Sequence, residues 1–333
     1  MLDLTKPFHA QNIVLSNGSQ GRVAEIDSFN VLNYENAIAG DLGEAVTLHA
    51  QLFLPLPLPL PLPLPLSKNL EHQYACVIVV PGSGGVNPAM LLHAEQLTNA
   101  GIAALVLDPF TGRNVENTIA VQQQFSFAAS TYDVFACVKF LNTQADIDPQ
   151  RIGAMGYSRG AIAVIQAAMT QLAKPVLGKL PHLRAVLAGW PWCGFQFVNP
   201  QIGNTAMRLI AANHDNWASV VQTQAYFNAI SARSRSTSLR IVKDAHHGFG
   251  YGMPEKQWPQ AMKAMHAPVV YFNDQGVMLD VWSGKPTPGA DDHAILSQLA
   301  SYITRGVTVG SKDGQMADFM QDMTQFFKTE LFN

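Results

Sequence analysis

The stretch Ile152-Gly153-Ala154-Met155-Gly156-Tyr157-Ser158-Arg159-Gly160-Ala161-Ile162-Ala163 decides how this chain folds. Its apolar start, 152–155, reads as a short buried strand, and the alanine-rich run 161–173 reads as a helix. Between them Gly156-Tyr157-Ser158-Arg159-Gly160 forms a Gly-x-Ser-x-Gly pattern. Five residues of this kind arise by chance, so the setting carries the argument. A strand turning sharply into a helix holds the central serine in a strained conformation with its hydroxyl exposed. The flanking glycines let strand and helix approach closely. Free N–H groups at the helix start face any negative charge that develops there. An ordinary glycine-bearing turn is the competing reading, and the strand–turn–helix setting counts against it.

Working outward toward the N-terminus, 77–80 is a continuously apolar strand, 91–100 a helix, 103–107 a strand and 130–142 a helix. Toward the C-terminus come strands at 185–188 and 208–212, a helix near 219–231 and a strand at 239–242. This βαβ rhythm predicts an α/β fold, a mostly parallel central sheet with helices on both faces. After residue 265 the rhythm changes. Segments 269–273 and 277–282 flank Asp274-Gln275-Gly276 as a hairpin with a glycine turn, and an amphipathic helix closes the chain over 315–331. The expected organisation is a single domain, 1–333, with an N-terminal extension at 1–43, a Leu-Pro repeat loop at 54–66 and a hairpin-bearing insertion at 265–312. Alternating proline forbids a helix in the Leu-Pro run and favours polyproline II. Strand-like segments directly on either side favour an expanded loop over a docking stretch for a proline-recognising partner.

Apolar residues make up 48% of the chain and charged residues 14%, with a formal net charge of −3. Such a balance implies a large buried core, and it argues against disorder and against a nucleic-acid groove. The three cysteines, Cys76, Cys137 and Cys193, are odd in number and lie in apolar stretches without C-x-x-C or metal-ligand spacing. They read as small buried hydrophobes in a reducing compartment. Residues 1–7 lack a basic start followed by an apolar run, and no stretch is long and apolar enough to span a bilayer. A cytoplasmic protein without a membrane partner, metal or cofactor is therefore expected.

A serine hydroxyl needs a base to take its proton, and in the α/β-hydrolase fold the chain order is serine, acid, histidine. Arg208-Leu209-Ile210-Ala211-Ala212-Asn213-His214-Asp215 places Asp215 just past a strand, where a carboxylate can orient an imidazole; a turn cap is its plainer reading. Leu239-Arg240-Ile241-Val242-Lys243-Asp244-Ala245-His246-His247-Gly248-Phe249 supplies two histidines after the next strand. His247 is preferred because Gly248 gives its loop backbone freedom; His246 is the alternative. Oxyanion donors are expected from the backbone N–H of Arg159 and of Ser83, the latter in the glycine-rich loop Pro81-Gly82-Ser83-Gly84-Gly85. No Gly-Lys-Ser/Thr follows that loop, which argues against phosphate binding. Tyr157, Trp190, Trp192 and Trp217 are candidates for pocket or core.

Taken together these residues resemble the dienelactone hydrolase family of α/β hydrolases, from about residue 44 to the C-terminus. The landmarks are the 81–85 loop, Leu107-Asp108-Pro109-Phe110-Thr111-Gly112-Arg113, Asp146-Ile147-Asp148-Pro149-Gln150-Arg151-Ile152, Trp190-Pro191-Trp192-Cys193, Asp215-Asn216-Trp217 and Ala245-His246-His247-Gly248-Phe249. The resemblance also favours His247 over His246. It implies a cysteine at the nucleophile position, where this chain has Ser158, and so points to a broader esterase role. The expected function is a serine hydrolase cleaving small carboxylic esters or lactones through an acyl-enzyme. A peptidase or amidase of the same fold and a catalytically silent binding protein are the alternatives. The tail hairpin could close over the site or support a homodimer.

Overall fold

The structure is a computed structural model that describes residues 2–56 and 73–332. The first half of the chain runs β1 (Gly21–Phe29), α1 (Tyr34–Ala39), β2 (Ala45–Phe53), β3 (Tyr74–Val80), α2 (Pro88–Asn99), β4 (Ala103–Asp108), α3 (Phe127–Leu141), β5 (Ile147–Tyr157), α4 (Arg159–Ala167), α5 (Thr170–Leu177) and β6 (Ala185–Gly189). It continues with β7 (Phe195–Phe197), β8 (Ala206–Ala212), α6 (Val220–Ser231), β9 (Thr237–Val242), β10 (Lys256–Lys263), β11 (Val270–Phe272), β12 (Met278–Leu279), β13 (Pro286–Thr287), α7 (Asp292–Leu299), β14 (Thr304–Val309) and α8 (Gln315–Phe332). Eight strands form the main sheet in the order β1-β2-β4-β3-β5-β6-β8-β9. The β1–β2 and β2–β4 pairs are antiparallel and all others are parallel. This is the α/β-hydrolase fold.

Strand β3 shows why the sequence builds this layer. Side chains alternate across a strand, so Cys76, Ile78 and Val80 enter the core on the α3 and α4 face, while Ala75, Val77 and Val79 enter the core beneath α2 and α8. Burial on both faces requires an unbroken apolar run instead of a polar alternation. Helix α8 closes its face with Phe319, Met323, Phe327 and Leu331, spaced one helical turn apart and all buried. All three cysteines are free and buried.

Several sequence expectations need correction or extension. The helix expected over 161–173 is two helices, bent by 71° between Ala167 and Thr170. The Thr170 N–H leaves the helical ladder to donate to Gln201 O at 2.7 Å, a tertiary contact that no local pattern reveals. The 1–43 segment supplies β1, which pairs with β2 from Gly21↔Phe53 to Phe29↔Ala45 and so extends the main sheet. A buried ion pair ties this edge down: Arg113 bonds both carboxylate oxygens of Asp133 at 2.8 and 2.9 Å, and the Ser28 hydroxyl of β1 donates to the same carboxylate at 2.7 Å. The hairpin forms, with Phe272 opposite Met278, and belongs to a second sheet, β13-β12-β11-β7. From residue 57 the Leu-Pro run lies outside the described residues. Among the described residues no single helix is long and apolar enough to cross a membrane.

Candidate active site

Ser158 stands between β5 and α4 with φ 53° and ψ −110°, a backbone conformation L-residues rarely adopt. Strain of this kind costs roughly 1–3 kcal/mol and must be held by its surroundings. Here backbone packs directly on backbone. A Cβ on Gly156 would overlap Gly160 O, and one on Gly160 would overlap the carbonyl oxygens of Val80 and Pro81. The two glycines of the motif are therefore steric requirements. Gly82 is nearly as close: its missing Cβ would lie 3.0 Å from Tyr157 O and 3.4 Å from Ser158 Cβ. The glycine-rich loop after β3 thus lies against the turn, bringing Ser83 beside Ser158. Arg159 opens α4, so its N–H has no acceptor within the helix.

Asp215 follows β8, and its Oδ1 accepts the backbone N–H groups of Trp217 and Ala218, both at 2.8 Å. Its Oδ2 accepts from His247 Nδ1 at 2.7 Å, with both side chains almost fully buried. This bond leaves Nε2 as the nitrogen free to take a proton. Gly310 N donates to His247 O at 2.9 Å, so β14 braces the histidine's loop. His246 faces away: its Nδ1 contacts His214 O at 3.0 Å and its Nε2 lies 3.9 Å from Glu255. The structure therefore brings His247, not His246, to Asp215.

Two cavities meet at Ser158, and Ser83, Ser158 and Trp217 line both. Trp192 lines the first; Trp190 and His247 line the second. No hydrogen bond joins Ser158 Oγ to His247 among the described residues. Tyr157, the fourth pocket candidate, lines neither cavity. It is fully buried on the opposite side of the strand end, stacked on Trp190 with ring centroids 5.3 Å apart. Its hydroxyl lies 2.5 Å from His93 Nδ1, and His93 Nε2 lies 3.1 Å from Gly250 O. Burial pushes the His93 pKa down to about 4. The ring is therefore neutral, Nε2–H donates to Gly250 O, and Nδ1 accepts from Tyr157. This contact joins the strand end before Ser158 to the loop after His247.

Three features of the site carry no motif in the sequence. The Gln122 carboxamide hydrogen-bonds the Ser83 hydroxyl at 3.1 Å, and Gln122 O accepts from the Arg159 guanidinium at 2.9 Å. That guanidinium stacks over Phe125 and Phe127, at 4.6 and 4.0 Å, and burial lowers its pKa to about 10. Asp292 at the start of α7 also lines the first cavity and accepts from Phe127 N at 2.9 Å. Burial is the main cause that raises its pKa to about 6, while the Phe127 N–H and Arg159 oppose the rise and Asp291 and His293 have smaller effects.

That raised value makes a stability prediction. Well below pH 3.8 the Asp292 carboxyl is neutral whether the chain is folded or unfolded. As pH rises through 6 the folded protein must hold a buried charge that the unfolded chain solvates freely, so stability is lost. The rise from 3.8 to about 6 corresponds to about 3 kcal/mol. Relative to Asp292→Asn, wild type should lose this stability between pH 4 and pH 7 in urea unfolding. Parallel pH profiles for the two proteins would refute the assignment.

A model of the dienelactone hydrolase family matches residues 65–275. The chain belongs to the dienelactone hydrolase family. As a member of that family it is a hydrolase. Solved structures agree in fold at low identity. A dienelactone hydrolase-like promiscuous phosphotriesterase from metagenomic libraries is 12% identical over 93% of this chain and 98% of its own, with a TM-score of 0.51. A putative dienelactone hydrolase from Klebsiella pneumoniae subsp. pneumoniae is 13% identical over 92% and 98%, with a TM-score of 0.51. The structure m3DLH is 14% identical over 93% and 99%, with a TM-score of 0.54. No curated protein matches the chain.

Proposed function

We propose that this dienelactone hydrolase family member hydrolyses small carboxylic esters or lactones through an acyl-enzyme on Ser158. The observation that carries the reading is the buried 2.7 Å bond from His247 Nδ1 to Asp215, on a ring that lines one cavity with Ser158. Asp215 fixes the tautomer, so Nε2 takes the Ser158 proton as Oγ attacks the carbonyl carbon. The contact between Oγ and Nε2 closes in the substrate complex, as such bonds do in many hydrolases. The N–H groups of Arg159 and Ser83 receive the oxyanion. Collapse of the intermediate expels the alcohol, which takes its proton from His247. Water then attacks the acyl-enzyme by the reverse sequence and releases the acid.

A fluorophosphonate probe tests this directly. Wild type is expected to gain one phosphonyl adduct, mapped to Ser158 by peptide mass spectrometry, while Ser158→Ala and His247→Ala gain none. Absence of an adduct on folded wild type would overturn the reading and favour a binding protein.

A further inference from the structure

The two cavities at Ser158 differ in which catalytic groups reach them. The first is walled mainly by apolar side chains, among them Phe127, Trp192, Met262, Leu296, Leu299 and Ile303, with the polar groups of Gln122, Arg159, Lys263 and Asp292 also on its lining. Four of these six apolar residues come from the last third of the chain: Met262 from β10, Leu296 and Leu299 from α7, and Ile303 just before β14. The second cavity is bounded by the glycine-rich loop, Asn87, Tyr251, Met253 and Trp258, and it alone contains His247. Arg159, the residue after the nucleophile, lines only the first.

Ester chemistry assigns the two. When the tetrahedral intermediate collapses, the leaving oxygen must take its proton from His247, so the alcohol lies on the imidazole's side. The attacking water must give a proton to the same nitrogen and arrives from that side too. The substituent on the carbonyl carbon has to point elsewhere, with the carbonyl oxygen held between the Arg159 and Ser83 amides. We propose that the acyl group occupies the apolar cavity walled by α7 and β10, and that the alcohol leaves through the His247 cavity. The assignment rests on the serine-hydrolase reading above. It makes the 262–303 segment the acyl-specificity element of this enzyme, and its substrates esters of apolar carboxylic acids larger than acetic acid. Each methylene that enters such a wall should raise kcat/KM roughly fourfold until the cavity is filled.

Leu296 is only half-buried, so a larger side chain there fills cavity space without overpacking the core. Two ester series are to be measured on wild type, Leu296→Trp, Leu296→Ala and Trp258→Ala: p-nitrophenyl acetate against p-nitrophenyl hexanoate and octanoate, and ethyl acetate against hexyl acetate. Wild type is expected to favour hexanoate over acetate at least tenfold. Leu296→Trp should lower that acyl ratio at least tenfold, whereas Trp258→Ala should move the alcohol ratio. Leu296→Ala, which only opens space, should extend the preference to octanoate. An exchanged pattern, with Leu296→Trp moving the alcohol ratio, overturns the assignment. So does an acyl ratio that neither Leu296 variant changes. Failure of the underlying reading looks different: wild type then turns over no ester in either series and takes no fluorophosphonate.

Discussion

Ser158→Ala should reduce kcat/KM for an activated ester by roughly 10⁴- to 10⁶-fold while leaving the fold unchanged. On the proposed mechanism the loss is this large because the Ser158 hydroxyl forms the acyl-enzyme and His247 has no other proton to take at that step. The fold survives for a reason visible in the backbone. Ser158 holds φ 53° because Gly156, Gly160 and the Val80–Pro81 backbone enclose the turn, not because of its side chain. Alanine inherits the same conformation and the same strain. The Ser158 N–H still donates to Gly189 O at 3.0 Å, so the strand end stays anchored. The thermal midpoint should therefore move by less than about 4 °C, the shift that roughly 1 kcal/mol produces. Residual catalysis of about 10³-fold over water can remain from the oxyanion amides and from binding. Retention of more than a few per cent of wild-type kcat/KM would show that another group attacks the ester.

The strained turn at Ser158 was legible because its requirements are local. Strand, glycine, serine, glycine and helix lie within a dozen residues, and each glycine answers to a contact made by the motif itself or by β3. The choice of His247 over His246 followed from the neighbouring Gly248, which does take φ 78°. Elsewhere the information was not local. The side of the strand end that Tyr157 faces depends on His93, 64 positions away, and on Gly250. Gln122 joins Ser83 to Arg159 from a loop with no pattern of its own. The cavity wall from α7 is legible only once β11 is known to pair in parallel with β7, a register between Val270 and Phe195 that no periodicity encodes. Motifs thus located the residues proposed to react, while the surfaces proposed to select a substrate come from contacts distant in sequence.

Asp215→Asn separates the two roles this residue could have, and it should lower kcat/KM by about 10⁴-fold. Oδ1 accepts two backbone N–H groups, from Trp217 and Ala218, so that position demands an acceptor. An asparagine must therefore place its carbonyl oxygen there and its NH₂ where Oδ2 stood, facing His247 Nδ1. An NH₂ can only donate. Nδ1 must then accept, the ring proton moves to Nε2, and the nitrogen proposed to take the Ser158 proton is no longer a base. The turn at 215–218 keeps both of its hydrogen bonds, because asparagine caps such a turn about as well as aspartate does. Stability should accordingly change little, and the loss should fall on kcat and on the rate of fluorophosphonate labelling together. If Asp215 were only a turn cap, the variant would keep activity within tenfold of wild type, and that result would remove it from the catalytic group.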